Sequence, residues 1–421
     1  MQIEIYNMTV LNDKLNISLE AVCDSFSSLL WDIEYYKCGA FEVYIAASPR
    51  NIEIFQTGRI VGRDDDKEHF GLIESVELET DAEDGDYLII KGRFLMCLLE
   101  RRIIYPTFNF TKLVSYSQIV MNVVQYNACT SGIRKIPGLS LGNTSGTCWD
   151  AKTKLQVSYD NLMEWVYTIC EKIGGTANIR LSKTNTEQYE MIFELSQGTD
   201  RSMMQEENPH IVFSDSYNNL LSFTYFTDTS VKKNFAYVLG KGEGQQRKRT
   251  TYFADSEPVL LDRYEVYVDA KDISDEEQEN GVTKPISDAE YIELLREKGN
   301  QNLIPTKTKS ESQIAVQSTQ FQYGVDYFVG DFVTVEHHRF GIRQNKIQLV
   351  GMIESFDRNG RNLTLLKCWC EISAVAVKAL NHTDKLYFIL SDAESLMLYG
   401  DKIANKIVHA VLKLRGLYCN L

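Results

Sequence analysis

Read from its residues, the chain is mainly β with a small α+β insertion. Three features predict this. The stretch Gly71-Leu72-Ile73-Glu74-Ser75-Val76 returns, nearly unchanged, as Gly351-Met352-Ile353-Glu354-Ser355-Phe356. Apolar residues alternate with a period of two in many short runs, the mark of half-buried strands. Between about 109 and 210 that period becomes helical, then returns to two.

The repeat has a shared context. Each copy leads into an acidic or Gly-bearing turn, residues 81–86 in one case and Asp357-Arg358-Asn359-Gly360 in the other. Each turn opens a strand ending in lysine, Tyr87-Leu88-Ile89-Ile90-Lys91 and Leu363-Thr364-Leu365-Leu366-Lys367. Upstream lies a Gly-led strand, Gly58-Arg59-Ile60-Val61 or Gly330-Asp331-Phe332-Val333-Thr334-Val335. Strand, turn and strand in the same order imply an internal duplication and two related β units.

From the N-terminus, residues 1–108 read as β. Phe41-Glu42-Val43-Tyr44-Ile45 alternates, and so does Ile52-Glu53-Ile54-Phe55. Residues 94–104 fit either a strand or a short helix. Over 115–130, Ile119, Val120, Val123 and Val124 lie at helical spacing, followed by a Gly-, Ser- and Thr-rich stretch over 138–146. Over 160–173, Leu162, Trp165, Val166, Ile169 and Ile173 make one stripe, and Gly174-Gly175 supplies the stop. Residues 178–181 and 190–195 read as a hairpin. Strand character resumes over 211–213, 220–226 and 235–239, then a flexible basic loop over 240–249. Tyr264, Val266 and Val268 alternate with polar neighbours. Ser287-Asp288-Ala289-Glu290 is a capping box opening a short helix, with Tyr291, Leu294 and Leu295 on one side and Gly299 as its end. Residues 314–372 are β again. In the tail over 374–421, Ile403, Ile407, Val411 and Leu414 share one helical face.

The chain has 421 residues, enough for several cores, with 44% hydrophobic and 24% charged residues. Its net charge of −14 argues against a nucleic-acid holder, because that grip needs phosphates neutralised by Lys and Arg. The nine cysteines are scattered, no signal peptide precedes them, and no apolar run is long enough to cross a bilayer. Reduced, mostly buried thiols in a cytoplasmically made protein are expected.

No residue set points to chemistry. Gly240-Lys241-Gly242-Glu243-Gly244 lacks the Lys-Ser or Lys-Thr of a phosphate loop. His337 and His338 are adjacent on a strand and so point to opposite faces, unable to share one metal. Cys368 and Cys370 share a strand face at roughly 6.5 to 7 Å, the outer limit for a disulfide, and read as packing thiols. No nucleophile elbow, zincin signature or C-x-x-C occurs, so no catalytic, cofactor-binding or metal residue is assigned. The densest charge is Asp64-Asp65-Asp66-Lys67-Glu68 with Glu74, Glu77, Glu79, Asp81, Glu83, Asp84 and Asp86. For any single residue the plainest reading is a solvated loop face. Taken together they could form a wall that repels phosphates.

Five segments in order carry a resemblance. They are Trp31-Asp32-Ile33-Glu34-Tyr35-Tyr36 leading to Gly39-Ala40-Phe41-Glu42-Val43; Lys91-Gly92-Arg93 to Arg101-Arg102-Ile103-Ile104; Val238-Leu239-Gly240-Lys241-Gly242-Glu243-Gly244 to Arg249; Arg263-Tyr264-Glu265-Val266-Tyr267-Val268-Asp269-Ala270-Lys271-Asp272-Ile273; and Tyr327 to Val335. Over most of 25–372 the chain resembles the Gp37-like tail proteins of long-tailed bacteriophages, related to baseplate hub proteins and to the N-terminal part of tail-associated lysins.

That resemblance implies two related tail-tube-type β-barrels. The first would span 1–108, completed by about 211–240. The second would span 241–373, with an inserted short helix near 287–299. A small α+β domain would occupy 109–210, and a helical C-terminal extension 374–421. It further implies a homotrimeric hub whose six barrels ring a channel. The tail tube or a distal tail protein would sit above and a spike or tip protein below. Tape measure would pass through the lumen, and DNA would be repelled by an acidic wall. Such a part belongs to a virion tail, baseplate or tip, or to a phage-tail-like bacteriocin, assembled in the bacterial cytoplasm. Related lysins continue into a wall-degrading domain, and the tail after Ser373 is too short to hold one. The implied role is therefore structural. A wall hydrolase using a carboxylate pair and a receptor- or glycan-binding tail protein are the alternatives.

Overall fold

The computed structural model describes residues 1–371 except 12–13, 82–84, 131, 184–188, 280–281, 304–308, 317–319 and 358–361. The extension expected over 374–421 lies outside the described residues. So do His382, Cys419 and the centres of both repeat turns.

Alternation sets most of the strands. The N-terminal part holds β1 (Ile3–Leu11), β2 (Lys14–Cys23), β3 (Ser28–Glu34), β4 (Ala40–Ala46), helix α1 (Pro49–Ile54), β5 (Ile60–Arg63), β6 (Asp66–Asp81) and β7 (Gly85–Phe94). Then come α2 (Cys97–Glu100), β8 (Phe108–Ser115), α3 (Tyr116–Val124), β9 (Leu139–Thr144), β10 (Lys152–Val157), α4 (Leu162–Ile173), β11 (Gly175–Lys183) and β12 (Tyr189–Gln197). The remainder holds β13 (Val212–Ser214), β14 (Leu220–Asp228), β15 (Phe235–Leu239), β16 (Arg249–Tyr252), β17 (Glu265–Asp269), β18 (Glu276–Glu279), β19 (Val282–Pro285), α5 (Asp288–Leu303), β20 (Lys309–Val316), β21 (Phe332–His337), β22 (Ile342–Asp357) and β23 (Asn362–Glu371).

A thirteen-stranded sheet runs β14-β20-β23-β22-β3-β4-β7-β6-β5-β1-β2, with β21 on β22 and β13 on β21. Within it one path occurs twice. Strands β5-β6-β7-β4-β3 are antiparallel neighbours in that order. Strands β21-β22-β23-β20-β14 repeat the path, again all antiparallel. Chain order matches too, so β6 answers to β22 and β7 to β23. Both β6 and β22 have 16 residues, and both β7 and β23 have 10. The Gly71 and Gly351 copies thus occupy equivalent strands. The lysines do not correspond, since Lys91 lies opposite Ser75 but Lys367 lies opposite Gly351.

The two units meet where β3 pairs antiparallel with β22, Ile33 opposite Met352. One core serves both, containing Leu29, Trp31, Phe41 and Ile90 from the first and Phe213, Ile314, Val335, Leu349 and Leu366 from the second. Strands of the 211–240 stretch sit beside second-unit strands, β13 on β21 and β14 on β20.

The insertion is α+β, as its change of period indicated. Helix α4 starts at Asn161, whose side chain accepts from Met163 N and Glu164 N, and stops at Gly174 in the left-handed region at φ 78°. Strands β11 and β12 form the expected hairpin, and β9 adds to it in parallel. This part packs with Tyr6, Ile17, Ile60 and Leu72 in a second core. Residues 94–104 contain the short helix α2.

Three local readings are corrected. Residues 52–54 belong to helix α1, with Phe55 as its C-cap, because Ser48 caps its start, accepting from Asn51 N at 3.1 Å, and Pro49 occupies its first turn. Four alternating residues were too few to fix a period. The basic loop over 240–249 is pinned: Gly240 N donates to Lys248 O at 2.8 Å, Lys241 N to Tyr291 Oη at 2.8 Å, and Arg247 Nε to Gly240 O at 2.6 Å. Helix α5 opens with the expected Ser287–Glu290 box but runs past Gly299 to Leu303. It lies on β15, β16 and β17 around a third core with Val238 and Leu295.

Candidate functional site

The exposed face of the joined sheet, across β22, β3, β4, β7 and β6, gathers the charge. Alternation turns Leu29, Trp31 and Ile33, Phe41, Val43 and Ile45, and Leu88 and Ile90 into the core. It therefore turns Asp32 and Glu34, Glu42, and Lys91 and Arg93 to the other side. A register shift between Ile73 and Ser75 then places Glu77 opposite Ile89 and Glu79 opposite Tyr87, on that same outer side.

Carboxylates outnumber cations here two to one: Asp32, Glu34, Glu42, Glu74, Glu77 and Glu79 against Lys91, Arg93 and Lys367. Each cation is held across strands. Lys91 Nζ lies 3.0 Å from Glu42, and Arg93 lies 2.8 Å from Glu74 and 2.6 Å from Glu100. Lys367 Nζ sits 2.9 Å from Asp32 and 2.5 Å from Glu34, bridging the two units. Burial opposes the Lys367 charge, but Glu34 and Asp32 outweigh it and hold the ammonium above its usual pKa. With the cations tied, the surplus carboxylates make the face electronegative.

Beneath it, on the core side of the same seam, Arg63 Nη1 meets Glu354 at 2.6 Å, with side chains only 4% and 9% exposed. The guanidinium also lies 5.5 Å from the Trp31 ring and 4.7 Å from Phe356. Burial opposes its charge, yet Asp65 and Glu354 keep its pKa above the ordinary arginine value.

The acidic sequence cluster divides. Asp64 and Asp65 make the turn between β5 and β6, and residues 66–68 open β6. Asp65 pairs with Arg63, and Asp64 accepts from Gln2 N at 2.7 Å. Asp66 accepts from Trp31 Nε1 at 3.0 Å and lies 2.9 Å from His69 Nδ1. Burial resists the Asp66 charge, but His69 and backbone N–H groups drive its pKa well below the usual range, and Asp66 in turn raises that of His69 against its own burial. Exposed carboxylates of this cluster on β6 are Glu68, Glu74, Glu77 and Glu79. Asp81 side-chain placement and residues 82–84 lie outside the described residues.

His337 and His338 do not diverge as expected. Strand β21 ends between them, so alternation no longer applies. Both Nδ1 atoms lie 3.2 Å from the Asp215 carboxylate, whose pKa falls to about 2 because backbone N–H groups and both imidazoles outweigh its desolvation. Among the described residues no group of side chains could hold a metal ion. The Cys368 side chain is buried, while that of Cys370 lies outside the described residues.

A cavity of about 550 Å³ lies where the two units and the insertion meet, lined by Tyr35, His69, Tyr167, Glu34, Glu194 and Asp331 among others. Three of its four carboxylates are tied, Glu34 to Lys367, Glu194 to Arg180 at 2.5 Å, and Asp331 to Arg201 at 2.9 Å, while Glu68 stands exposed at its rim.

No curated protein matches the chain. Among solved structures, a tail protein from Neisseria meningitidis MC58 superposes with a TM-score of 0.52 at 14% identity, over 87% of this chain and 96% of that one. The 43 kDa tail protein of prophage MuSo2 from Shewanella oneidensis gives 0.49 at 11%, covering 87% and 98%. Prophage tail protein gp18 from Listeria monocytogenes EGD-e gives 0.47 at 12%, covering 90% and 98%. The first of these likenesses is one of fold. Residues 3–365 match the siphovirus ReqiPepy6 Gp37-like protein family. With nearly the whole described chain inside that match, the protein belongs to this family of siphovirus tail proteins.

Proposed function

We propose that the chain is the structural hub of a phage tail tip or baseplate, or of a phage-tail-like particle. The observation that carries this reading is the five-strand path that occurs twice and is joined through β3 and β22. A chain with two equivalent β units lets three copies present six, so a threefold part can dock on a sixfold tube. In this organisation the first unit covers 1–108, the α+β insertion 109–210, and the second unit 211–371, with α5 and its small sheet inserted between β14 and β20. Both units close as tube-type barrels in the ring.

The electronegative sheet face then lines the channel. Tape measure and DNA pass it, and phosphate repulsion keeps DNA from sticking. A tube or distal tail protein lies above the ring and a spike or tip protein below, in a virion tail assembled in the bacterial cytoplasm.

The role is structural, without catalysis. Membership of a family of siphovirus tail proteins supports this part of the reading.

Mass photometry and electron microscopy of the full chain test the reading. A trimer with a central hole is the expected result. A monomeric, channel-free particle at micromolar concentration overturns it. Release of sugar or peptide fragments from purified cell wall overturns the non-catalytic part.

A further inference from the structure

Two exposed features remain outside that account, and their chemistries complement each other. The first is a groove of about 440 Å³ lined by Arg101, Arg102, Ile103, Tyr105, Ile133, Arg134 and Tyr159. It is basic in a strongly acidic chain. Its guanidiniums meet backbone carbonyls: Arg102 Nε donates to Arg134 O at 2.5 Å, Arg134 Nη1 to Tyr105 O at 3.0 Å, and Arg134 Nη2 to Ile103 O. These bonds orient the groups without neutralising them. Ile133 is fully exposed at 104%, and Tyr159 is 66% exposed.

The second feature is a knob between β16 and β17. Val259, Leu260 and Leu261 form its tip, with Leu260 91% and Leu261 93% exposed. Asp255, Glu257 and Asp262 flank it, all exposed, Glu257 being paired with Arg263 at 2.9 Å. Consecutive leucines fully in water cost free energy unless something covers them.

The backbone marks the same two places. Non-glycine residues with positive φ, among those described, are Tyr159 at 58°, Asn218 at 53° and Leu260 at 52°. Asparagine tolerates that region, while tyrosine and leucine are strained in it. One strained residue sits in the groove and the other at the apex of the knob.

We propose that the 255–262 knob of one copy seats in the Arg101/Arg102/Arg134 groove of the next. Leucines would fill the apolar wall of Ile103, Ile133 and Tyr159, and the flanking carboxylates would meet the arginines. Each copy carries one knob and one groove. The contact is therefore heterologous, and a rotation that closes gives a ring. This interface rests on the ring reading above and names the surfaces that would build it.

The test uses full-length Leu261→Asp and Ile133→Asp, both at solvent-exposed positions and so expected to fold, with thermal melts as the check. Each variant alone should weaken assembly by at least about thirtyfold, leaving monomer where the unchanged protein is multimeric. An equimolar mixture retains one good knob and one good groove. It should give dimers and nothing larger. If the unchanged protein is multimeric and either variant assembles equally well, or the mixture yields no dimer, the knob and groove are overturned while the ring reading stands. A partner of another kind in the groove would give that outcome. An unchanged protein that is monomeric throughout overturns both.

Discussion

The Arg63–Glu354 pair is enclosed on both sides, so neither charge can be left alone. Arg63→Met should cost about 3–5 kcal/mol by stranding Glu354, and Arg63→Met with Glu354→Leu should recover most of that. Urea unfolding of the two single variants and the double variant checks this; equal losses in single and double would refute it. The His69–Asp66 pair gives a pH dependence whose sign is fixed. Folded His69 holds its proton more tightly than the unfolded chain does. Its contribution is full below about 6.5 and is lost as pH rises through the raised folded value. Asp66 works oppositely, full above about 4 and lost as pH falls through its depressed value. The melting temperature should therefore decline above pH 6.5, and His69→Gln should flatten that limb; parallel declines in both proteins would rule the pair out. None of this was legible locally. Asp66 reads as one of a run of solvated acids until the fold brings Trp31 to it from 35 positions away. Arg63 meets Glu354 only because the two units share a sheet.

Elements with a full period were legible, and those with less were not. Helix α4 shows its stripe and glycine stop in sequence, and the structure moves its start by two residues. The 52–55 run is shorter than two helical turns, and the telling signal was Ser48-Pro49 before it. Gly299 was read as a stop because glycine so often ends a helix. In α5 it sits mid-helix for closeness instead: a Cβ there would lie 2.7 Å from Val238 Cγ2 and 2.9 Å from Tyr252 Cβ. Gly299→Ala therefore sets two effects against each other. Helix propensity favours alanine by about 1 kcal/mol, while forced overlap in a packed core costs about 1–3 kcal/mol. Overlap with two neighbours should win, and the variant should melt lower than the unchanged protein; a rise in melting temperature would show that α5 shifts freely. Strands β8 and β10 escaped notice because each carries little alternation and pairs 37 to 49 residues away.

At the scale of the molecule, the six-residue repeat was enough to announce two related units. It could not show that they share one core. Nor could it show which carboxylates stay free on the surface, since register decides that and the lysines that seemed equivalent are out of step. Charge reversal tests the surface. Glu42→Lys, Glu77→Lys and Glu79→Lys together should turn an inert face into a DNA binder, with log K falling against log salt at a slope of about −3 if each lysine meets a phosphate. Salt-independent or absent binding in titrations would argue against a nucleic-acid-facing role. The joint between β3 and β22 also has a bearing on synthesis. Ile33 and Met352 are neighbours in space but stand 319 positions apart in the chain. While the ribosome is still translating the later half, β3 has a bare hydrogen-bonding rim and Leu29 and Trp31 lack part of their cover. A nascent chain therefore cannot finish its platform before β22 emerges. The shared core of the two units therefore closes only after residue 352 has been made.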